Sequence, residues 1–126
     1  MNTLILLLER GSTYSPELWA LQQGADRGVG GQLMIERPTG WLSVLREDEV
    51  LEEYDDGERK VISTFLTDPI SYLIEWRGSV LLEELFRSIP LGNALVDNDH
   101  GLLVPLREVK DLAVESWART RAVPGS

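Results

Sequence analysis

The stretch REDEVLEEYDDGERK, residues 46–60, decides how the middle of this 126-residue chain is read. From Glu47 to Glu58 it holds eight carboxylates in twelve residues and no base. Two conformations compete for it. A helix over residues 47–56 places Val50, Leu51 and Tyr54 on one face, but ends on Asp55 and Asp56, where the negative end of the helix macrodipole disfavours carboxylates. An extended strand ends instead at Asp56-Gly57, a strong two-residue hairpin signal. In that register Glu53 faces Lys60, Tyr54 faces Arg59 and Leu51 faces Ile62, so a pair of opposite charges and an apolar pair both stabilise it. A hairpin is therefore expected. One of its faces carries Val50, Glu52 and Tyr54, the other Leu51, Glu53 and Asp55. Neither suits full burial, so the hairpin should project from the sheet or lie at its edge, where charge guards against unwanted strand pairing.

Towards the N-terminus, QLMIERPTGWLSVLR reads as two strands, about residues 32–36 and 41–46, joined by a turn with Pro38 at its second position and Gly40 at its fourth. The glycine-rich ADRGVGG before it is a connection; it lacks the Lys-Ser/Thr ending of a phosphate loop. SPELWALQQG is a short helix with Ser15 as cap, Pro16 at the first helical position and Gly24 at the exit. The apolar run Leu4 to Leu8 has only five residues, follows no basic segment and stops at Glu9. It is too short for a membrane span of about 20 residues and reads as a buried strand. Towards the C-terminus, KVISTFLTDPISYLIEW gives two β-rich runs around Asp68-Pro69. SVLLEELFRSIP is a helix capped by Ser79, with Leu81, Leu85 and Ile89 at four-residue spacing and Pro90 as stop. NALVDNDHGLLVPL is a hairpin with a polar turn. REVKDLAVESWARTR is helical, with Val109, Leu112, Ala113 and Trp117 on one stripe.

Clustered strands with helices set apart indicate an α+β fold: one domain over residues 1–121, a mostly antiparallel sheet of about six to eight strands, and two or three helices packed on one face. Residues 122–126 are expected to form a flexible tail.

The chain has 21 acids, 12 bases and a formal charge of −9. Such a charge repels nucleic acid and anionic membrane and favours a basic protein partner. There is no cysteine, which removes disulfides, thiol catalysis and thiolate zinc sites. The cytoplasm is the expected location. The expected function is non-enzymatic protein binding, with no cofactor and with homodimerisation left open. The partner-binding residues are Glu47, Asp48, Glu49, Glu52, Glu53, Asp55, Asp56 and Glu58 as carboxylates that steer a basic partner, with Tyr54 and Trp41 as anchors. Of the four tryptophans, Trp19, Trp76 and Trp117 read as core, and Trp41, just after a turn, as the candidate interface aromatic.

A rival site is DNDHG, residues 97–101. Asp97 and Asp99 stand at the first and third positions of a calcium loop with Glu108 at the twelfth, but Gly101 and Leu102 break the pattern. His100 is the only histidine. With Asp97 and Asp99 it forms the alternative site, a metal, small-ligand or small-enzyme pocket, although no Gly-x-Ser-x-Gly elbow accompanies it. A further alternative is an acidic secretion chaperone, whose contacts would be apolar grooves.

The run DPISYLIEWRGSVLLEELFRSIPLGNALVDNDHGLLVPL, residues 68–106, resembles small bacterial immunity proteins, the cytoplasmic antidotes of contact-dependent and polymorphic toxin systems. The likeness is one of general character: an acidic α+β domain without cysteine, with strand, helix and late hairpin in that order. It carries over no functional residue. The resemblance implies stoichiometric capping of a toxin domain's active surface, with carboxylates presented where a basic nuclease expects phosphates.

Overall fold

The computed structural model describes residues 2–90, 92 and 94–123. Residues 124–126 of the expected tail lie outside them. The elements are β1 (Asn2–Glu9), α1 (Pro16–Gln22), β2 (Asp26–Arg27), β3 (Leu33–Arg37), β4 (Gly40–Arg46), a 3₁₀ segment (Asp48–Glu53), α2 (Asp56–Phe65), β5 (Pro69–Arg77), α3 (Val80–Ser88), β6 (Leu95–Asp97) and β7 (Leu103–Pro105). The strands form one seven-stranded sheet in the order β2-β3-β4-β5-β1-β6-β7, and every neighbouring pair is antiparallel. The α+β class, the antiparallel sheet and the strand number are as the sequence leads one to expect.

β1 lies inside the sheet, paired with β5 along its whole length and with β6 through Ile5, Leu6 and Leu7. Its apolar run follows from this position. Alternate side chains of a strand point to opposite faces, and both faces are covered here: Leu4, Leu6 and Leu8 enter one apolar cluster, Ile5 and Leu7 another. The larger cluster lies under α1 and α3, which contribute Trp19, Ala20, Leu81, Leu82, Leu85 and Phe86. The smaller lies under α2, with Ile62, Leu66 and Tyr54. The helices therefore pack on both faces of the sheet, two on one and α2 on the other, and the expected placement on a single face is corrected.

Local signals set α1. The Ser15 hydroxyl accepts from the Leu18 amide, Pro16 opens the helix and Gly24 leaves it with a φ of 86°. The β3–β4 turn is a two-residue loop, since Arg37 pairs with Gly40. Gly40 has a φ of 144° and passes against Arg77, while Gly78, at a φ of 75°, passes against Thr39. A Cβ on either would run into the facing carbonyl, so glycine is required at both.

Two further expectations fail, and the first takes with it the β-rich reading of KVISTF, which lies in α2. Residues 47–65 form no hairpin: the 3₁₀ segment is followed by α2, and the pairs Glu53–Lys60, Tyr54–Arg59 and Leu51–Ile62 do not form. The reason is local. Asp55 is the N-cap of α2, its carboxylate accepts from the Glu58 amide at 2.7 Å, and the Glu58 carboxylate accepts from the Asp55 amide at 3.0 Å. This reciprocal capping box places Asp55, Asp56 and Glu58 at the positive end of the helix dipole. The helix begins where the rejected alternative would have ended. Ile62, Phe65 and Leu66 then share one stripe against the sheet.

The second failure is residues 107–121, which form no α-helix. Two 3₁₀ turns, Leu106–Glu108 and Val114–Ser116, stand in its place. Val109, Val114, Trp117 and Ala118 are buried, whereas Ala113, expected inside, is exposed. Long-range bonds hold the segment instead: the Asn98 amide donates to the carbonyls of Trp117 and Thr120, both at 2.7 Å, and the Lys110 ammonium of the segment donates to the carbonyl of Ile89 at 2.9 Å.

Candidate partner-binding surface

The ten residues expected to bind a partner separate into distinct groups. The carboxylates of Glu49, Glu52, Glu53 and Asp56 are exposed and make no hydrogen bond or ion pair among the described residues. Four others build the surface. Glu47 caps the 3₁₀ segment by accepting from the Glu49 amide. Asp48 accepts both Nε and Nη2 of Arg46, at 2.9 and 2.8 Å, and also the Ser71 amide at 3.2 Å. Those Arg46 bonds are the main reason the Asp48 carboxyl is held below the usual carboxylate range. Asp55 and Glu58 form the capping box.

Tyr54, expected as an anchor at the surface, is buried. It is 7% exposed and lies in the smaller apolar cluster. Its hydroxyl donates to the Asp97 carboxylate at 2.8 Å. Burial, and then the negative charge of Asp97, pushes the phenol pKa far up. Arg59, which follows the acidic stretch, is turned onto the backbone, donating to the carbonyls of Tyr54 at 2.8 Å and Glu52 at 3.0 Å. The guanidinium thus closes the junction between the 3₁₀ segment and α2.

The fold joins the two sites that sequence reading kept apart. Asp55, Gly57, Glu58 and Val61 of α2 and its cap face Asp97, Asp99, Gly101 and Leu103 of the β6–β7 hairpin across a cleft of about 490 Å³. Four of the eight lining residues are acids and none is a base. The Tyr54–Asp97 hydrogen bond ties the two walls together from beneath.

The β6–β7 turn is held by Asn98, which is fully buried. Its side-chain oxygen accepts from the amides of His100 and Leu102, at 2.8 and 3.1 Å, while its amide group holds the C-terminal segment. Asp97 takes the Tyr54 hydroxyl on one oxygen and the Asp99 amide on the other. The His100 ring is exposed. Among the described residues, no three His, Asp or Glu side chains converge to hold a metal ion.

Trp19, Trp76 and Trp117 are buried in the larger cluster, as expected. Trp41 is half-buried and belongs to neither cluster. It stands on the α2 face of the sheet, beyond the part that the 3₁₀ segment and α2 cover, at a concavity it shares with Met34, Ser43, Leu45 and Glu75. The sequence reading singles out Trp41 but none of those neighbours. The available signal is the alternation in β4: Leu42 and Val44 are buried, so Trp41, Ser43 and Leu45 face the other way.

Fold and surface together define a single-sheet α+β domain with a helical layer on each face, one of them acidic. No protein-family model, no curated protein sequence and no solved structure matches this chain. Among the described residues, no helix is long and apolar enough to cross a membrane.

Proposed function

We propose that this chain is a non-enzymatic protein-binding domain that caps a basic partner stoichiometrically, as an immunity-type inhibitor caps a toxin domain. The observation that carries the reading is the cleft of about 490 Å³, whose two walls bring Asp55, Glu58, Asp97 and Asp99 from distant parts of the chain to one opening, four acids against Arg121, which lies beside Gly101 at its edge. Next to it Glu49, Glu52, Glu53 and Asp56 present carboxylates with no partner among the described residues. Unpaired charge of one sign draws an opposite charge in from a distance and raises the association rate, an effect that salt screens over about 8 Å at physiological ionic strength. The capping carboxylates fix the frame, and the free ones are available to Arg and Lys of the partner.

The test is affinity capture at low and high salt with the full chain and with a variant carrying Glu49→Gln, Glu52→Gln, Glu53→Gln and Asp56→Asn. None of the four side chains makes a bond among the described residues, so the variant should fold normally. One basic protein, held in stoichiometric amount, retained less at high salt and lost from the variant, is the expected result. An empty capture at both salts, or equal retention by the variant, overturns the reading.

A further inference from the structure

The two faces of the sheet are covered unequally. α1 and α3 lie over one face, reaching β3 and β4, whose Leu33, Ile35, Leu42 and Val44 are buried there. On the opposite face the 3₁₀ segment and α2 cover Ile5, Leu7, Leu73, Leu95 and Leu103. Among the described residues, no helix covers the other half of that face, formed by β3, β4 and the end of β5. Strand register places its side chains in rows: Glu36 beside Trp41 beside Arg77, and Met34 beside Ser43 beside Glu75. Asp26 of β2 extends the second row. Met34, Trp41 and Leu45 are half-buried yet enter neither apolar cluster, and with Ser43, Gln32 and Glu75 they line a concavity of about 280 Å³.

We propose that this open half-sheet is the apolar seat of the basic partner, with Trp41, Met34 and Leu45 receiving one or two apolar side chains and Glu75, Glu36 and Asp26 receiving the Arg or Lys residues that flank them. The proposal rests on the binding reading above and adds where the partner's apolar surface is held. Size and charge both support it. The concavity of about 280 Å³ has room for one or two side chains. Three acids stand in these rows against Arg77, with Arg27 and Arg37 bordering Asp26 and Glu36 at the sheet edge. β4 runs through Arg46 into the acidic 3₁₀ segment, so the seat and the α2 surface adjoin. A second copy of the chain is a poor occupant, because docking two such faces would bring together like charges on molecules that each carry −9. A half-exposed indole beside apolar floor residues, with Glu36, Glu75 and Arg77 around it, has the composition of a binding hot spot.

The experiment is a two-dimensional NMR titration of the full chain with three synthetic peptides: Arg-Leu-Arg-Leu-Arg, Arg-Ser-Arg-Ser-Arg and Glu-Leu-Glu-Leu-Glu. Trp41 supplies the probe, its indole signal being assigned by its loss in Trp41→Phe. The Arg-Leu peptide should shift the Trp41 indole and the Met34 and Leu45 methyl signals, and bind about tenfold or more tightly than the Arg-Ser peptide, the scale of one hot-spot side chain. Trp41→Ala should weaken it by a similar factor. Glu75→Lys, which leaves the indole in place, should weaken it too and serves as the second variant if Trp41→Ala does not fold. Should both basic peptides move only the amides of α2 and the β6–β7 turn, the seat is overturned while the basic-partner reading survives. Equal binding of the Glu-Leu peptide overturns both. Trp41 signals that shift on dilution without peptide assign the face to a second copy and overturn the proposed occupant. No shift with any peptide also overturns the seat.

Discussion

The two faces of the sheet solve the same burial problem differently. On the α1 and α3 face, Leu4, Leu6, Leu33, Leu42, Ile74, Leu82 and Leu85 are almost wholly excluded from water, and the C-terminal segment closes the face with Val114, Trp117 and Ala118. On the α2 face the cluster is smaller and leans on the partly exposed Val50, Leu51, Phe65, Leu73 and Leu103, and among the described residues no helix covers β3 and β4 there. The first face is held mainly by packing, with Asn98 fixing the C-terminal segment that closes it. The second is held by a few directed polar bonds, namely the Asp55–Glu58 box, the Tyr54–Asp97 bond and the Arg59 clamp. Apolar area stabilises without regard to direction, whereas a polar bond fixes one geometry and contributes little net energy.

The comparison breaks most readily at the core. Leu82→Ala on the first face should cost about 4 kcal/mol of unfolding free energy, and Ile62→Ala on the second about 2 kcal/mol, because the less enclosed site can relax around the cavity. Denaturant unfolding measures both, and equal losses would dissolve the distinction. Between them stands Asn98→Ala at about 3 kcal/mol, since four backbone groups lose their partner at a buried position. Hydrogen exchange should show residues 114–120 losing protection first; a uniform loss over the whole chain would remove the special role of Asn98.

The directed bonds predict a pH response. Tyr14, Tyr54 and Tyr72, the three tyrosines of the chain, all have phenols pushed up, with burial the largest cause in each. A raised pKa means that the unfolded chain gives up its proton first. The contribution is therefore complete below the ordinary tyrosine value and is lost as pH rises from there towards the folded value. Phenolate absorbance should lag behind that of free tyrosine and rise together with unfolding, and Tyr54→Phe should blunt the alkaline loss. Ordinary titration in a chain that stays folded would contradict the buried Tyr54–Asp97 bond. The smallest effect belongs to the cap: Asp55→Ala should cost about 1 kcal/mol, read from the denaturation midpoint. No change there would leave the helical conformation of residues 56–65 without its stated cause.

Much of the fold is legible where short-range rules act alone. Ser15-Pro16 and Gly24 bound α1, and the β6–β7 hairpin shows in the apolar runs that flank DNDHG on both sides. The acidic stretch misleads because two local signals overlap within four residues. Asp56-Gly57 speaks for a turn, while Asp55 and Glu58, three apart, speak for a helix start. The C-terminal stretch misleads because its apolar spacing is helical, and the competitor for its carbonyls, Asn98, lies 19 and 22 residues upstream of them. The candidate site is half legible. Its acids and Trp41 stand out in the sequence, but Tyr54 is placed outside when it is buried, and Asp97 and Asp99 are assigned to a rival site when they form the opposite wall of the same cleft.

By itself the sequence determined the class of the fold, the strands either side of the β3–β4 and β6–β7 turns, the buried β1, the first and third helices and the sign of the surface charge. These follow from nearest-neighbour sterics, capping and periodicity, which act over a few residues. Tertiary structure alone decided which face each helix covers, that residues 107–121 abandon the helix, and that acids far apart in the chain share one cleft while half a sheet face stays bare. Those outcomes depend on which groups meet across the sheet, and the competition for a buried carbonyl or an apolar surface is settled only when distant segments arrive together.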